Sequence, residues 1–263
     1  SEKIGAARVP GASIVRHGAS IGGFFVRRNA RWLLRPTRAA GIVRPEHSCQ
    51  DAAMFSGPST PRHYRYALLL LVLAVLAWSG WQPKDLFTWF LEVAPVLIGL
   101  PLLILTFRYF PLTMLAYSLL ALHAVILMVG GHYTYAEMPL FNWLRDTFEL
   151  ARNHYDRVGH VAQGFIPAIV AREILLRRSP LQTGKWLFFL TTCVCLAISA
   201  SYEFIEWWVA LASGDEAVAF LATQGDVWDT QWDMFLALCG AIASQLLLAR
   251  LHDRQLGRLE QKC

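Results

Sequence analysis

Six apolar runs separated by more polar connections dictate what this chain can fold into. They cover about residues 66–81, 86–107, 109–130, 158–176, 186–211 and 229–251. Most hold the roughly 20 residues that a helix needs to cross a hydrocarbon core about 30 Å thick. Inside a bilayer every backbone amide must be satisfied within its own segment or in a closed barrel, and runs of this length satisfy it as helices. The first run is short and borrows Tyr64 and Arg65 as snorkelling ends. The expected fold is all-α: a polytopic membrane protein, a six-transmembrane helix bundle with both termini cytoplasmic.

Composition agrees. In 263 residues, 55% are hydrophobic and 16% charged, with mean hydropathy +0.38, too apolar for an ordinary soluble domain. The formal net charge of +5 does not argue for nucleic acid. Residues 1–53 hold nine Lys/Arg against three Asp/Glu, whereas residues 54–263 hold 15 against 16. The membrane body is therefore near neutral. Cys49, Cys193, Cys195, Cys239 and Cys263 have no paired zinc spacing, and three of them fall inside apolar runs, so neither a disulfide framework nor a thiol nucleophile is expected.

Three segments follow along the chain. Residues 1–61 read as a disordered basic extension, Arg-rich and acid-poor, with Met54 as an alternative translation start. Residues 62–252 form the six-helix transmembrane domain, and residues 253–263 a short cytoplasmic tail. Orientation comes from Lys and Arg in the connections. Arg62 and Arg65, Arg108, the group Arg172, Arg177, Arg178 and Lys185, and the group Arg250, Arg254, Arg258 and Lys262 mark four cytoplasmic regions. Trp78, Trp81, Trp207, Trp208, Trp228 and Trp232 then share the outer interface.

The same outer half gathers ionisable residues from several spans. His123 and His132 lie late in the third, Asp156 and His160 open the fourth, Glu203 and Glu206 lie late in the fifth, and Asp229 and Asp233 begin the sixth. Glu92 in the second comes out at a similar depth. The inner half is read as lacking such a cluster, with Arg172 and Glu173 free to snorkel or pair. Intramembrane charge is costly enough to mark function by default. Residues three or four apart share a helix face, which gives the stripes Asp156, His160 and Gln163; Ser199, Glu203 and Glu206; and Asp226, Asp229 and Asp233.

Neutral imidazoles with carboxylates suit Zn²⁺ or Mn²⁺. The expected ligands are His132, Asp156, His160, Glu203 and Asp233, with Glu206 and Asp229 as catalytic carboxylates. Plain alternatives stand beside these roles: Asp226 and Asp229 as helix caps, His123 as a hydrogen-bonded core group, and His132 as a loop residue. The segment from Gly131 to Asp156 is too long for a minimal turn and reads as carrying an interfacial helix near 141–151.

Four stretches together resemble a known family: Gly131-His132-Tyr133-Thr134-Tyr135, residues 155–165 (YDRVGHVAQGF), Glu203-Phe204-Ile205-Glu206-Trp207-Trp208 and residues 224–234 (QGDVWDTQWDM). They are similar to the YjdF-like bacterial inner-membrane proteins over about residues 64–252. The resemblance implies a multi-pass plasma-membrane protein, and because that family is one of unknown function it transfers no catalytic roles.

From the residues themselves, the leading expectation is a metal-dependent hydrolase acting on a membrane lipid or lipid-linked small molecule from the outer side. An ion- or proton-coupled transporter is the alternative. The second run, with Glu92, Pro95, Gly99 and Pro101, is the one candidate for the broken helix that many carriers use. A non-catalytic membrane subunit would instead show the polar stripes on the bundle exterior.

Overall fold

The computed structural model describes residues 61–213 and 218–260; the expected basic extension lies outside the described residues, apart from Pro61. Among those described, all regular structure is helical. Helix α1 is Arg62–Ser79, α2 Leu86–Thr106, α3 Met114–Tyr133, α4 Pro139–Thr147, α5 Tyr155–Arg178, α6 Lys185–Ser213, α7 Val218–Leu221 and α8 Asp229–Glu260. A 3₁₀ turn at Tyr135–Glu137 links α3 to α4.

Each apolar run holds a helix, and local chemistry sets several ends. Asp85 accepts from the Thr88 amide at 2.6 Å to cap α2, and Thr113 caps α3 through the Ala116 amide. Pro95 and Pro101 sit within α2, the one candidate for a broken helix, which stays a single helix through both. Helix α8 runs on to Glu260, which makes residues 253–260 helical.

Helices α2, α3, α6 and α8 are long and apolar enough to cross a membrane. Helices α1 and α5 are not among those four: α1 opens with Arg62, His63 and Arg65, and α5 carries Asp156, Arg157, Arg172, Glu173, Arg177 and Arg178. Yet α5 is the helix around which the rest assemble. It packs on α8 most extensively, then on α6 and α3, while α1 and α2 pack on α3.

Two kinds of core result. Val72, Trp89, Val93, Val96, Ala121 and Met128 fill the space among α1, α2 and α3. Between α5, α6 and α8 the buried residues are small: Ala168, Cys195 and Ala241. Lipid tails are as apolar as leucine, so membrane helices associate by close backbone approach, which small residues permit. The glycines make this explicit. A Cβ on Gly164 would stand 1.8 Å from the Ala237 carbonyl oxygen, and one on Gly240 would stand 2.2 Å from that of Val161. These contacts bring the first turns of α5 and α8 side by side.

Helix α4 has no buried residue and occupies the place expected of an interfacial helix. Behind it, buried Asn153 fastens the α4–α5 connection to the loop before α8. Its amide donates to Gln224 Oε1 at 2.9 Å, and Gln224 Nε2 returns a bond to its carbonyl at 2.9 Å. That loop takes left-handed backbone at Ala222 (φ 49°), Gln224 (φ 50°) and Gly225 (φ 85°), a conformation two non-glycine residues adopt only when the surroundings hold them there.

Candidate cation site

Asp156 occupies the first turn of α5, and His160 lies one turn later on the same face. Asp233 comes from the start of α8 across the glycine contacts, and Glu203 from α6. All four are buried. His160 Nε2 lies 3.4 Å from Asp156 Oδ1 and 3.8 Å from Asp233 Oδ2, and its Nδ1 lies 3.9 Å from Glu203 Oε1. Donor atoms of Asp156, His160 and Asp233 all fall within 4.8 Å of one another.

Hydrogen bonding orients the imidazole. Nδ1 is 2.9 Å from Gln163 Oε1, an acceptor, so Nδ1 carries the proton of a neutral ring and Nε2 presents its lone pair to the two aspartates. That is the arrangement of a metal-ligating histidine, which gives its other ring N–H to a nearby oxygen. Ligands at about 2.0–2.1 Å around a tetrahedral ion stand roughly 3.3–3.4 Å apart; the His160–Asp156 separation of 3.4 Å matches this, and Asp233 at 3.8 Å from His160 would have to draw in. Asp156 Oδ2, Glu203 Oε1 and Asp233 Oδ1 are buried and make no hydrogen bond. Asp156 Oδ2 has Arg152 Nη2 3.5 Å away, and the oxygens turned to His160 Nε2 are Asp156 Oδ1 and Asp233 Oδ2; carboxylates buried this close together are costly unless positive charge compensates them.

A cavity of about 230 Å³ opens beside His160, lined by Glu92, Tyr135, Asp156, His160, Tyr202 and Glu206 among others. Glu206 thus lines the same space as Asp156 and His160. Tyr135 reaches this wall because its ring lies against Gly130 of α3 and Gly159 of α5, where any Cβ would meet it at 2.4 Å and 3.0 Å respectively.

Two expected site residues stand elsewhere. The His132 Nδ1 lies 3.0 Å from the Ser79 carbonyl, and its ring sits 4.4 Å from Trp78 and 4.7 Å from Tyr133. It secures the end of α3 to the end of α1 and is not among the clustered donors. Asp229 is buried and joined directly to Arg152, and it is not among the residues lining the cavity. Arg152, 6% exposed, also lies 3.5 Å from Asp156 and 3.6 Å from Asp226, and donates to the Ala222 carbonyl at 3.2 Å. Its importance was hidden in the sequence, where it is one of three arginines in a connection. Asp226 accepts from the Trp228 amide at 3.0 Å and pairs with Arg157 at 3.0 Å, so it both shapes the turn before α8 and ties that turn to α5.

A second buried polar cluster, at the other end of α5, corrects the expectation that the region around Arg172 and Glu173 has none. Glu173 and His252, both 0% exposed, are linked at 3.1 Å. Glu173 also accepts from the Thr113 amide and hydroxyl and from Arg177, and His252 Nδ1 lies 2.9 Å from Arg172 Nη1, which pairs with Asp253 at 2.7 Å. Sequence reasoning passed over His252 because its partner is 79 residues away.

The relatives of this chain are membrane proteins. The family described as Predicted membrane protein (DUF2238) matches residues 64–254. The chain belongs to that family. Within the DUF2238 description, the Inner membrane protein YjdF of Escherichia coli (strain K12) is 52% identical over 189 residues, covering 72% of this chain and 90% of the relative. No solved structure matches. The protein is accordingly a multi-pass inner-membrane protein.

Proposed function

We propose that Asp156, His160 and Asp233 hold a divalent cation, with Glu203 adjoining, and that the cavity beside them hydrolyses an ester or phosphoester of a lipid or lipid-linked molecule. The carrying observation is the convergence of buried Asp156, His160 and Asp233 donor atoms within 4.8 Å of one another, around an imidazole whose other nitrogen lies 2.9 Å from Gln163 Oε1. Zn²⁺ or Mn²⁺ suits this donor set. Such an ion supplies Lewis acidity to a scissile carbonyl or phosphoryl oxygen. Glu206, in the same cavity, takes a proton from the attacking water; the water oxygen bonds to carbon or phosphorus, the leaving oxygen departs, and the proton passes to it.

In this reading α1 and α5 also span, giving six crossings with both termini inside. Positive connections and the exposed tryptophans at the opposite ends support that orientation. The polar stripes are buried among helices, which disfavours a subunit that displays them to a partner.

A second reading, ion- or proton-coupled carriage, draws support from the Glu173–His252 network, because α5 then bears buried charge near both ends. Against it, Ile166, Ala168 and Ile169 separate the two clusters with tightly buried apolar packing.

The test is to supply Zn²⁺ or Mn²⁺ to purified protein and follow head-group release from micellar carboxylic esters, phosphodiesters and diphosphates. The proposal expects turnover of one class, abolished in Glu206→Gln while bound metal is kept. Turnover of none, or turnover unaffected by Glu206→Gln, contradicts the hydrolase; proton flux in proteoliposomes would then favour the carrier.

A further inference from the structure

A second and larger space, about 560 Å³, lies among α1, α2 and α3. Leu68, Val72, Leu100 and Leu103 line its walls, and Arg62, Arg65 and Arg108 stand at one end. Among the described residues no carboxylate lines it. Arg65 lies 4.5 Å over the Phe107 ring, and its buried Nε has no hydrogen-bond partner. Gly99 faces into the space with nothing within 4 Å of where a Cβ would be.

We propose that this groove holds one anionic phospholipid, its phosphate between Arg62, Arg65 and Arg108 and an acyl chain along the apolar wall towards His123. Charge complementarity selects the occupant. Three guanidinium groups without a lining carboxylate attract a phosphate, guanidinium forks match its oxygens, and apart from Tyr66, Tyr117 and His123 the rest of the lining is apolar. Basic pockets between membrane helices bind anionic head groups on this principle. From Tyr117 to Leu127, both lining residues on α3, the apolar wall extends about 15 Å at 1.5 Å of rise per residue, room for much of a chain. The far end meets the cavity of the cation site, since Pro95, His123 and Leu127 line both spaces. The groove uses different residues from the cation ligands, so either assignment stands or falls alone.

The test is native mass spectrometry of the full chain released from detergent micelles doped with phosphatidylglycerol or phosphatidylcholine. The wild type should retain one phosphatidylglycerol in preference to phosphatidylcholine. The variant R62Q/R65Q/R108Q should lose that preference by about a hundredfold, the expectation for three charges near a head group. Arg108→Gln alone, at an exposed position, should lower it in part and guards against misfolding of the triple variant. Gly99→Phe fills the groove while sparing the arginines, and should expel the lipid. Equal retention of the two lipids, or phosphatidylglycerol retained undiminished by Arg108→Gln and Gly99→Phe, overturns the proposal. So does displacement of the lipid by millimolar inorganic phosphate, which would mark a site for a free anion.

Discussion

Gly164 of α5 meets the main chain of Ala237 of α8 so closely that the glycine's missing Cβ is what allows His160 and Asp233, each about one turn away, to face each other at 3.8 Å. The obstructing atom is a backbone oxygen, which cannot swing aside as a side-chain tip could. Gly164→Ala must therefore separate the helices, at a cost of roughly 1–3 kcal/mol or more for overpacking. The expected result is a lower thermal midpoint in detergent together with loss of bound metal. Gly99→Ala, facing open space, should change neither.

Arg152 neutralises a buried group of aspartates. Arg152→Ala leaves Asp229 and Asp156 with uncompensated buried charge, a loss on the order of 3–5 kcal/mol. Adding Asp229→Asn to that variant should restore part of the stability, because it removes the charge that was stranded. Thermal unfolding of the four members of this double-mutant cycle measures the coupling directly.

The network at Glu173 and His252 fastens the start of α3 to α5 and α8. His252→Ala removes one donor from buried Glu173, whose oxygens keep Thr113 and Arg177, and should cost about 0.5–1.5 kcal/mol. Because these groups stand apart from the cation donors, the variant should keep its metal content in the fraction that remains folded, a pattern opposite to that of His160→Ala. Unfolding curves and metal analysis on the same sample separate the two roles.

Asn153 and Gln224 clasp the loop over the first turns of α5 and α8. Gln224→Ala removes both bonds, leaving the left-handed backbone held by Arg152 at the Ala222 carbonyl and by the bonds of Asp226. Amide hydrogen exchange at residues 222–229 should quicken markedly, while exchange along α2 is unchanged.

The limits of sequence reading follow from geometry. Depth along a helix is legible, since each residue adds 1.5 Å, and so Asp156, His160, Glu203 and Asp233 could be assigned to the same half of the bundle from spacing alone. Azimuth is not legible, because it depends on which neighbour a helix packs against. His132 has the right depth and turns instead to Ser79 and Trp78. Arg152 and His252 were undervalued because their partners lie 77 and 79 residues away in sequence. Pro95 and Pro101 suggested a break, yet α2 carries both as a continuous helix. The small residues that set the α5–α8 distance read locally as ordinary apolar sequence, and only the pairing of Gly164 with Ala237 and Gly240 with Val161 reveals what they do.

The most direct measurement is metal content by inductively coupled plasma mass spectrometry on detergent-purified protein prepared without chelator, for the wild type, His160→Ala and Asp233→Asn. The account predicts about one zinc or manganese per chain in the wild type, falling to background in both variants while their helical circular dichroism is unchanged. A folded wild type that takes up neither metal when zinc and manganese are supplied, or variants that bind as much as the wild type, would contradict it.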